Sequence, residues 1–316
     1  MAEFANQTFG VFNAGYMGKN VYLDYVQEVY KRKAYLKPGI NANGALSINA
    51  DGSALTYWTL PTNGVSSYQN LGGLHTANAN QIKGLKAKTV SITKGELIDC
   101  LIPAAAKLAG AATVESIYAQ NVIKAVNNIN ERFVAVAEAF CREIDGTGRC
   151  AALPANATYG VTAIDADTSY DSSDKLAYSA ADVVGSITKL KAAFNKKNKI
   201  SGYKATSLFV SSDVYADMQA KNLLIYKPIS LEGGDQVDVY NFLGMDVTEC
   251  PEMSTFKVVM VHRDGVFGAA NLNFVVENEN DPSVPGGVSI KGEMGHEEGR
   301  VELGEDFDGY LIVGLK

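Results

Sequence analysis

The chain has 316 residues, 47% of them hydrophobic and 20% charged, the composition of an ordinary folded protein of one large domain or two interleaved ones. A formal net charge of −7 excludes non-specific wrapping of nucleic acid by a basic surface. Four cysteines, Cys100, Cys141, Cys150 and Cys250, include no CxxC pair, which points to a reduced compartment instead of a disulfide framework.

The opening residues Met1 to Ala5 lack a basic-then-apolar leader, and no apolar run approaches the ~20 residues that span a bilayer. Residues 1–19 are punctuated by Gly and Asn around Phe4, Phe9, Phe12 and Tyr16. That is too little for a core and too aromatic for a flexible tail, so the segment reads as an arm that packs on something else. A short helix is predicted from Asn20 to Tyr35. Val21, Tyr22, Tyr25, Val26, Val29 and Tyr30 form its apolar face, Lys31-Arg32-Lys33 suit its negative end, and Pro38-Gly39 stops it.

Residues 45–94 read as a long two-stranded excursion. Leu46 and Ile48 alternate on the way out, and Leu55 to Leu60 is strongly strand-forming. The stretch from Pro61 to Gln81 is a roomy, Gly- and Asn-rich tip. On the return, the apolar phase changes sides between Leu85/Ala87 and Val90/Ile92, which predicts a bulge or a change of packing partner. Lys83, Lys86, Lys88 and Lys94 make this arm locally positive. They are either solvated edge-strand lysines or contacts to acidic patches on a neighbouring subunit, and the cost of ordering so long a hairpin alone favours the second reading.

Glu96 to Leu108 reads as a short helical or turn segment broken by Pro103. The dominant pattern follows. From Thr113 to Asp145, Val114, Tyr118, Val122, Ala125, Ile129, Phe133, Val136, Phe140 and Ile144 recur at steps of three and four, one face of a straight helix of roughly 50 Å. A second apolar row (Ile117, Ile123, Val126, Val134, Ala137, Cys141) predicts cover by more than one layer, and Gly146 suits a left-handed stop. It is either the core helix of a large α+β enzyme or a spine tying distant parts of a flat subunit together.

A loop spans Gly146–Gly160, followed by a polar stretch with Asp165, Asp167, Asp171 and Asp174. Tyr178 to Lys197 is an amphipathic helix with Val183, Val184, Ile187, Leu190 and Phe194 on its face and Ser179/Asp182 as a capping box in outline. Thr206 to Val210 is a buried-type strand, and Ser211-Ser212-Asp213 starts another helix through Val214, Tyr215 and Met218. Strands are predicted at 242–247 after a turn, 257–262, 273–276, 288–291 and 310–313, with a turn-rich loop over Asn278–Gly287.

Catalytic motifs do not survive inspection. Gly146-Thr147-Gly148-Arg149-Cys150-Ala151 fits a loose dinucleotide pattern but follows a helix instead of a strand. Gly18-Lys19-Asn20 lacks the first glycine and the hydroxyl of a phosphate loop. Asp165 to Asp171 resembles a calcium loop with Tyr170 where glycine is needed and Leu176 where the bidentate glutamate is needed. His296-Glu297-Glu298 is not HExxH, and three histidines (His75, His262, His296) give acid–base or zinc chemistry few recruits. No catalytic, cofactor or metal residue is assigned.

The order of parts is specific. Leu208 to Met218, Phe242 to Glu249 and Gly265 to Ala270 resemble, in turn, the strand-then-helix stretch, the G-x-x-V-x-x-S/T strand entry and the returning segment of the major capsid proteins of tailed bacteriophages with the HK97-type fold. The resemblance covers nearly the whole chain. It implies an α+β HK97-like fold: an N-terminal arm (1–44), an extended β-hairpin E-loop (45–94), a peripheral domain with the long spine helix (95–160 and 263–304), and an axial α/β domain (161–262 and 305–316). The implied function is a self-assembling structural subunit of an icosahedral head shell around double-stranded DNA, in the virion, after assembly in the bacterial cytoplasm.

Its implied partners are further copies in hexamers and pentamers, a separate scaffolding protein, a portal and a decoration protein, with DNA enclosed but not read and no membrane. The subunit-interface candidates are Phe9 and Phe12 in the arm, Tyr57, Trp58 and Leu60 as apolar anchors, Lys83, Lys86 and Lys88 as basic contacts, and Asp281 and Pro282 in the loop expected at local three-fold contacts. For the three anchors, packing on their own subunit is the competing reading. Two alternatives stand beside the phage shell: an encapsulin-type nanocompartment, and a soluble α+β metabolic enzyme.

Overall fold

The computed structural model of the protein describes residues 11–14, 28–37, 40–44, 46–49, 52–59, 86–104, 114–146, 178–198, 202–230, 236–278, 287–301 and 312–315. The fold is α+β, and its described elements are arranged around helix α1 (Val114–Gly146), 33 residues long. The face predicted from the three-and-four spacing is the buried one: Tyr118, Val122, Ala125, Ile129 and Phe133 are nearly inaccessible. Val126, Val134, Ala137 and Cys141 of the second row are buried as well, so the helix is covered on two sides.

The two halves of the helix meet different partners. The first half of α1 lies on a four-stranded sheet ordered β1-β11-β12-β5, built from β1 (Val11–Ala14), β11 (Val266–Asn278), β12 (Val288–Arg300) and β5 (Lys94–Ile102). Here Tyr118, Val122, Val126 and Ile129 pack with Ile98, Cys100, Ile290 and Met294. The second half joins a larger core in which Phe133, Val134, Ala137 and Cys141 meet Leu208, Phe209, Val258 and Ile312. The rings of Phe133 and Phe209 stand edge to face at 4.9 Å. Burying each such side chain contributes about 1.5–3 kcal/mol.

That second core belongs to a six-stranded sheet ordered β13-β10-β6-β9-β8-β7. Its centre is β10 (Val258–Val261) against β6 (Ser207–Val210), buried at every position. It continues through β13 (Ile312–Leu315) on one side and β9 (Met245–Glu249), β8 (Gln236–Phe242) and β7 (Ile225–Ser230) on the other. Gly314 on β13 is required by close approach: a β-carbon there would lie 2.6 Å from the Phe256 ring and 3.0 Å from Cys141 Sγ.

Helices α2 (Val183–Lys197) and α3 (Ser212–Ala220) accompany this sheet. Asp182 is the N-cap of α2, its Oδ1 accepting the Gly185 N–H at 2.9 Å, so the helix starts later than the predicted Tyr178. Val184, expected on the apolar face, is exposed, while Val183, Ile187, Leu190 and Phe194 are buried. The β8–β9 hairpin turns through Leu243 (φ 52°) and Gly244 (φ 77°), the two positive φ angles of a type I′ turn. Glycine suits that conformation, whereas leucine adopts it at a cost of roughly 1–2 kcal/mol.

Several expectations change. Residues 94–102 form the edge strand β5, not a helical turn: Glu96, Ile98 and Cys100 alternate inward while Leu97, Asp99 and Leu101 point out. The excursion contributes a three-stranded sheet, not a two-stranded one, because β2 (Ser47–Ile48) folds back on β3 (Ala54–Trp58), which pairs with β4 (Ala87–Ser91). The β3–β4 register runs unbroken from Ala54↔Ser91 to Trp58↔Ala87, so the expected bulge is absent from that span. Lys88 simply shares the inward face with Val90. Strands β11 and β12 are each 13 residues long, well beyond the short strands predicted there, with an irregularity between Leu272 and Phe274. Of the predicted Asn20–Tyr35 helix, residues 28–33 are helical and residues 20–27 lie outside the described residues.

Candidate functional site

Two features stand out from the residues upward: the polar side chains by which α1 grips its surroundings, and the small sheet held at its margin. Asn130, buried on α1, donates from Nδ2 to the Lys33 carbonyl at 2.9 Å and accepts the Tyr35 N–H at Oδ1, also at 2.9 Å. It thereby satisfies the chain end of the 28–33 helix, where carbonyls are otherwise orphaned. Earlier on the same helix, Asn128 Nδ2 donates to Glu96 Oε2 at 2.7 Å, and Asn121 Nδ2 donates to the Asp99 carbonyl at 3.3 Å. Both hold β5.

In the second half of α1, Glu138 is buried with Oε1 facing three successive backbone N–H groups. Ser254, Thr255 and Phe256 donate to it at 2.9, 2.8 and 3.2 Å. An ionised carboxylate receiving three amide protons forms charge-assisted bonds that fix the loop entering β10. One helix therefore fastens the 33–35 stretch, β5 and the 254–256 loop. Sequence reasoning missed these residues, because each partner lies about 20 to 120 positions away and no spacing signals it.

Between residues 37–41 and β8–β9 lies a cleft of about 170 Å³, lined by Lys37, Asn41, Tyr215, Asp238, Tyr240 and Glu249 among others. Its acids are already engaged: Tyr226 Oη donates to Asp238 at 2.6 Å and Ser212 Oγ to Glu249 at 2.6 Å. The Lys37 ammonium donates to the Ala34 carbonyl, and burial lowers its pKa to about 8. Burial, then a 2.7 Å hydrogen bond to Glu252, pushes the Tyr35 phenol well above its usual range. Burial likewise raises the Cys250 thiol, which is no nucleophile in that state. No helix among the described residues is long and apolar enough to cross a membrane.

The three-stranded sheet rests on one small apolar cluster, Leu46, Leu55 and Tyr57 against Phe267, Ala269 and Val301. Of the anchors expected there, Tyr57 is taken up by its own chain: it is 2% exposed and stacks on Phe267 at 5.1 Å. A ring so enclosed has no surface left for a neighbour, which corrects its reading as an interface residue. Trp58, one residue on and therefore on the opposite face, is 55% exposed. Lys86 is exposed and Lys88 half-buried. Phe12 lies in β1, which pairs in parallel with β11 of the same chain, Phe12 opposite Ala270. Phe9, Leu60, Lys83, Asp281 and Pro282 lie outside the described residues.

No family model matches this sequence, and no curated protein matches it. Solved structures do. A chain of the capsid structure of the cyanophage P-SCSP1u is 14% identical, with TM-score 0.46 over 84% of this chain and 83% of that one. In overall course, this chain is similar to phage capsid chains. The mature capsid of bacteriophage PhiM1 gives 9% identity and TM-score 0.42 over 87% and 83%. A virus-like particle from Pyrococcus furiosus gives 12% and 0.46 over 94% and 96%.

Proposed function

We propose that this chain is the structural subunit of an icosahedral phage head, which assembles with copies of itself around double-stranded DNA and acts by area rather than by catalysis. The observation that carries the reading is the excursion sheet. Among the described residues it stands on one apolar cluster and exposes Trp58, and it belongs to a chain whose parts follow the order expected of the HK97-type plan: edge arm, excursion, spine, α/β sheet, return strands. A projection of this kind gains further stability when buried on a neighbour, so folding and assembly are coupled.

On this reading residues 1–44 are the arm, 45–94 the E-loop, 95–160 with 263–304 the peripheral domain, and 161–262 with 305–316 the axial domain. Trp58 is the apolar anchor, and the exposed Lys86 just ahead of β4 serves acidic surface on the next copy. The net charge of −7 suits a wall that holds DNA without gripping it. A scaffold, portal and decoration protein complete the partners. Size-exclusion chromatography with negative-stain microscopy at several concentrations tests the proposal. Closed shells, or hexamers and pentamers, are expected; a particle that stays monomeric or dimeric under all conditions overturns it.

A further inference from the structure

Strand β10 of the six-stranded sheet ends at Val261 and strand β11 of the four-stranded sheet begins at Val266, so the chain passes between the sheets through His262 and the short turn Arg263–Gly265. Three other segments fasten this joint. Asn43 N–H donates to the Val266 carbonyl at 2.8 Å, and Val301 N–H donates to the Gly265 carbonyl at 2.9 Å. Arg263 N–H donates to Thr206 Oγ1 at 2.7 Å.

The turn's own cap is an imidazole. Nδ1 of His262 accepts the Asp264 N–H at 3.2 Å, and the His262 carbonyl accepts the Gly265 N–H at 2.8 Å. An amide N–H can only donate, so Nδ1 holds a lone pair and the ring is neutral with its proton on Nε2. The residue is 9% exposed, and its ring stands edge to face against Tyr203 at 4.7 Å. A Ser, Thr or Asn oxygen would cap the same N–H without titrating; histidine makes the cap depend on pH.

Among the described residues, the charges around the ring are these. Asp264 Oδ2 lies 3.8 Å from Nδ1 and favours an imidazolium, while Arg263, with Nε 3.7 Å from Asp264 Oδ1, opposes one. From the 202–206 stretch, the Tyr203 phenol is kept protonated by burial and by Asp264, and Lys204 is exposed and bears on Lys191. On β12 the cation is Arg300, opposite Val266, which acts in the same sense as Arg263. Burial outweighs the attraction of Asp264 and holds the imidazole below its ordinary 6.5. As pH falls through 6.5 the folded chain therefore binds fewer protons than the unfolded one, and the stability this contact contributes is lost.

We propose that His262 is an acid-released latch on the turn that carries the chain from one sheet to the other. A proton taken from solvent at Nδ1 ends the hydrogen bond from the Asp264 N–H and sets two N–H donors against each other. The Asp264 carboxylate is the acceptor within reach of the imidazolium. The ring thus lets go of the backbone and takes hold of the side chain, drawing it from Arg263. The latch is complete within one subunit and does not depend on assembly.

The test uses the full chain labelled with ¹⁵N, titrated from pH 8 to pH 4.5. The imidazole signal missing from His262→Asn is expected to carry its proton on Nε2 at pH 8 and to become doubly protonated with a midpoint below 6.5. Amide exchange at Asp264 and Gly265, after correction for intrinsic chemistry, should rise ~10-fold across that midpoint. It should stay within ~2-fold in His262→Asn, whose Oδ1 accepts the same N–H without titrating. A ring protonated on Nδ1 at pH 8, a ring that charges without freeing the Asp264 amide, or an equal acid response in His262→Asn each overturns the proposal. Should that variant not fold, the wild-type titration decides together with Asp264→Asn, which is expected to move the midpoint to still lower pH; an unmoved midpoint overturns the proposal.

Discussion

The spine with its two sheets and the excursion sheet are built on opposite principles. Along α1, apolar burial and buried polar clamps alternate within a few residues: Phe133 sits on Phe209 while Glu138, less than two turns on, holds three amides. Among its described residues the excursion packs Leu46, Leu55 and Tyr57 into one cluster, while along the opposite face of β3 Ala54 is buried, Thr56 half-buried and Trp58 exposed. The first region joins apolar burial to buried polar clamps, whereas the second, among its described residues, relies on apolar burial and leaves Trp58 exposed at one end of β3.

The sharpest way to test that contrast is to damage the spine. Phe133→Ala should lower the unfolding free energy of the isolated chain by ~3–5 kcal/mol in urea, since it empties a buried site against Phe209 in the larger core. A loss under ~1 kcal/mol would mean the larger core does not pack tightly on the helix at this position. Glu138→Ala should cost ~2–4 kcal/mol by orphaning three buried N–H groups, with Glu138→Gln recovering part of it. Amide exchange at Ser254 to Phe256 reads the effect directly.

A smaller, pH-dependent effect is expected at Lys37. Its folded pKa of about 8 lies below the ordinary 10.5, so the folded chain binds fewer protons than the unfolded one between those values. Stability therefore rises with pH across that window. Lys37→Met should remove that rise, and the gap between the two chains at pH 7.5 should shrink or reverse by pH 10 by ~1–2 kcal/mol. Parallel pH profiles would place the ammonium in water. The smallest effect on the lone chain is expected from Trp58→Ala, ~1 kcal/mol or less, because more than half of the side chain is exposed. Shell stability should fall far more than subunit solubility; equal loss of both would count against an E-loop role and erase the contrast between the two regions.

How much of this was legible in the sequence depends on how local the signal was. The spine was readable because three-and-four spacing sustained over nine apolar residues fits a helix and no strand or loop, and the Ser211-Ser212-Asp213 helix start is a local motif of the same kind. Strand β5 was misread because Pro103 and the acids Glu96 and Asp99 imitate a helix fragment, while its partner β12 lies nearly two hundred residues on. Pro228 hid β7, an edge strand where the missing N–H costs nothing. Gly292, Gly295 and Gly299 hid the length of β12. Tyr57 and Trp58 looked alike in sequence; the pleat sent one inward and the other out. The clamps at Asn130 and Glu138 had no local signature, since each is made by a partner the fold delivers.

Considered mechanically, α1 is a strut pinned in both halves, at Asn121 and Asn128 to β5 of one sheet and at Glu138 to the loop that enters β10 of the other. A rod of roughly 50 Å turned through about one degree carries its tip about 0.9 Å sideways. Close-packed cores resist displacements of that size in either half. A displacement of one sheet against α1 is therefore felt in the packing of the other.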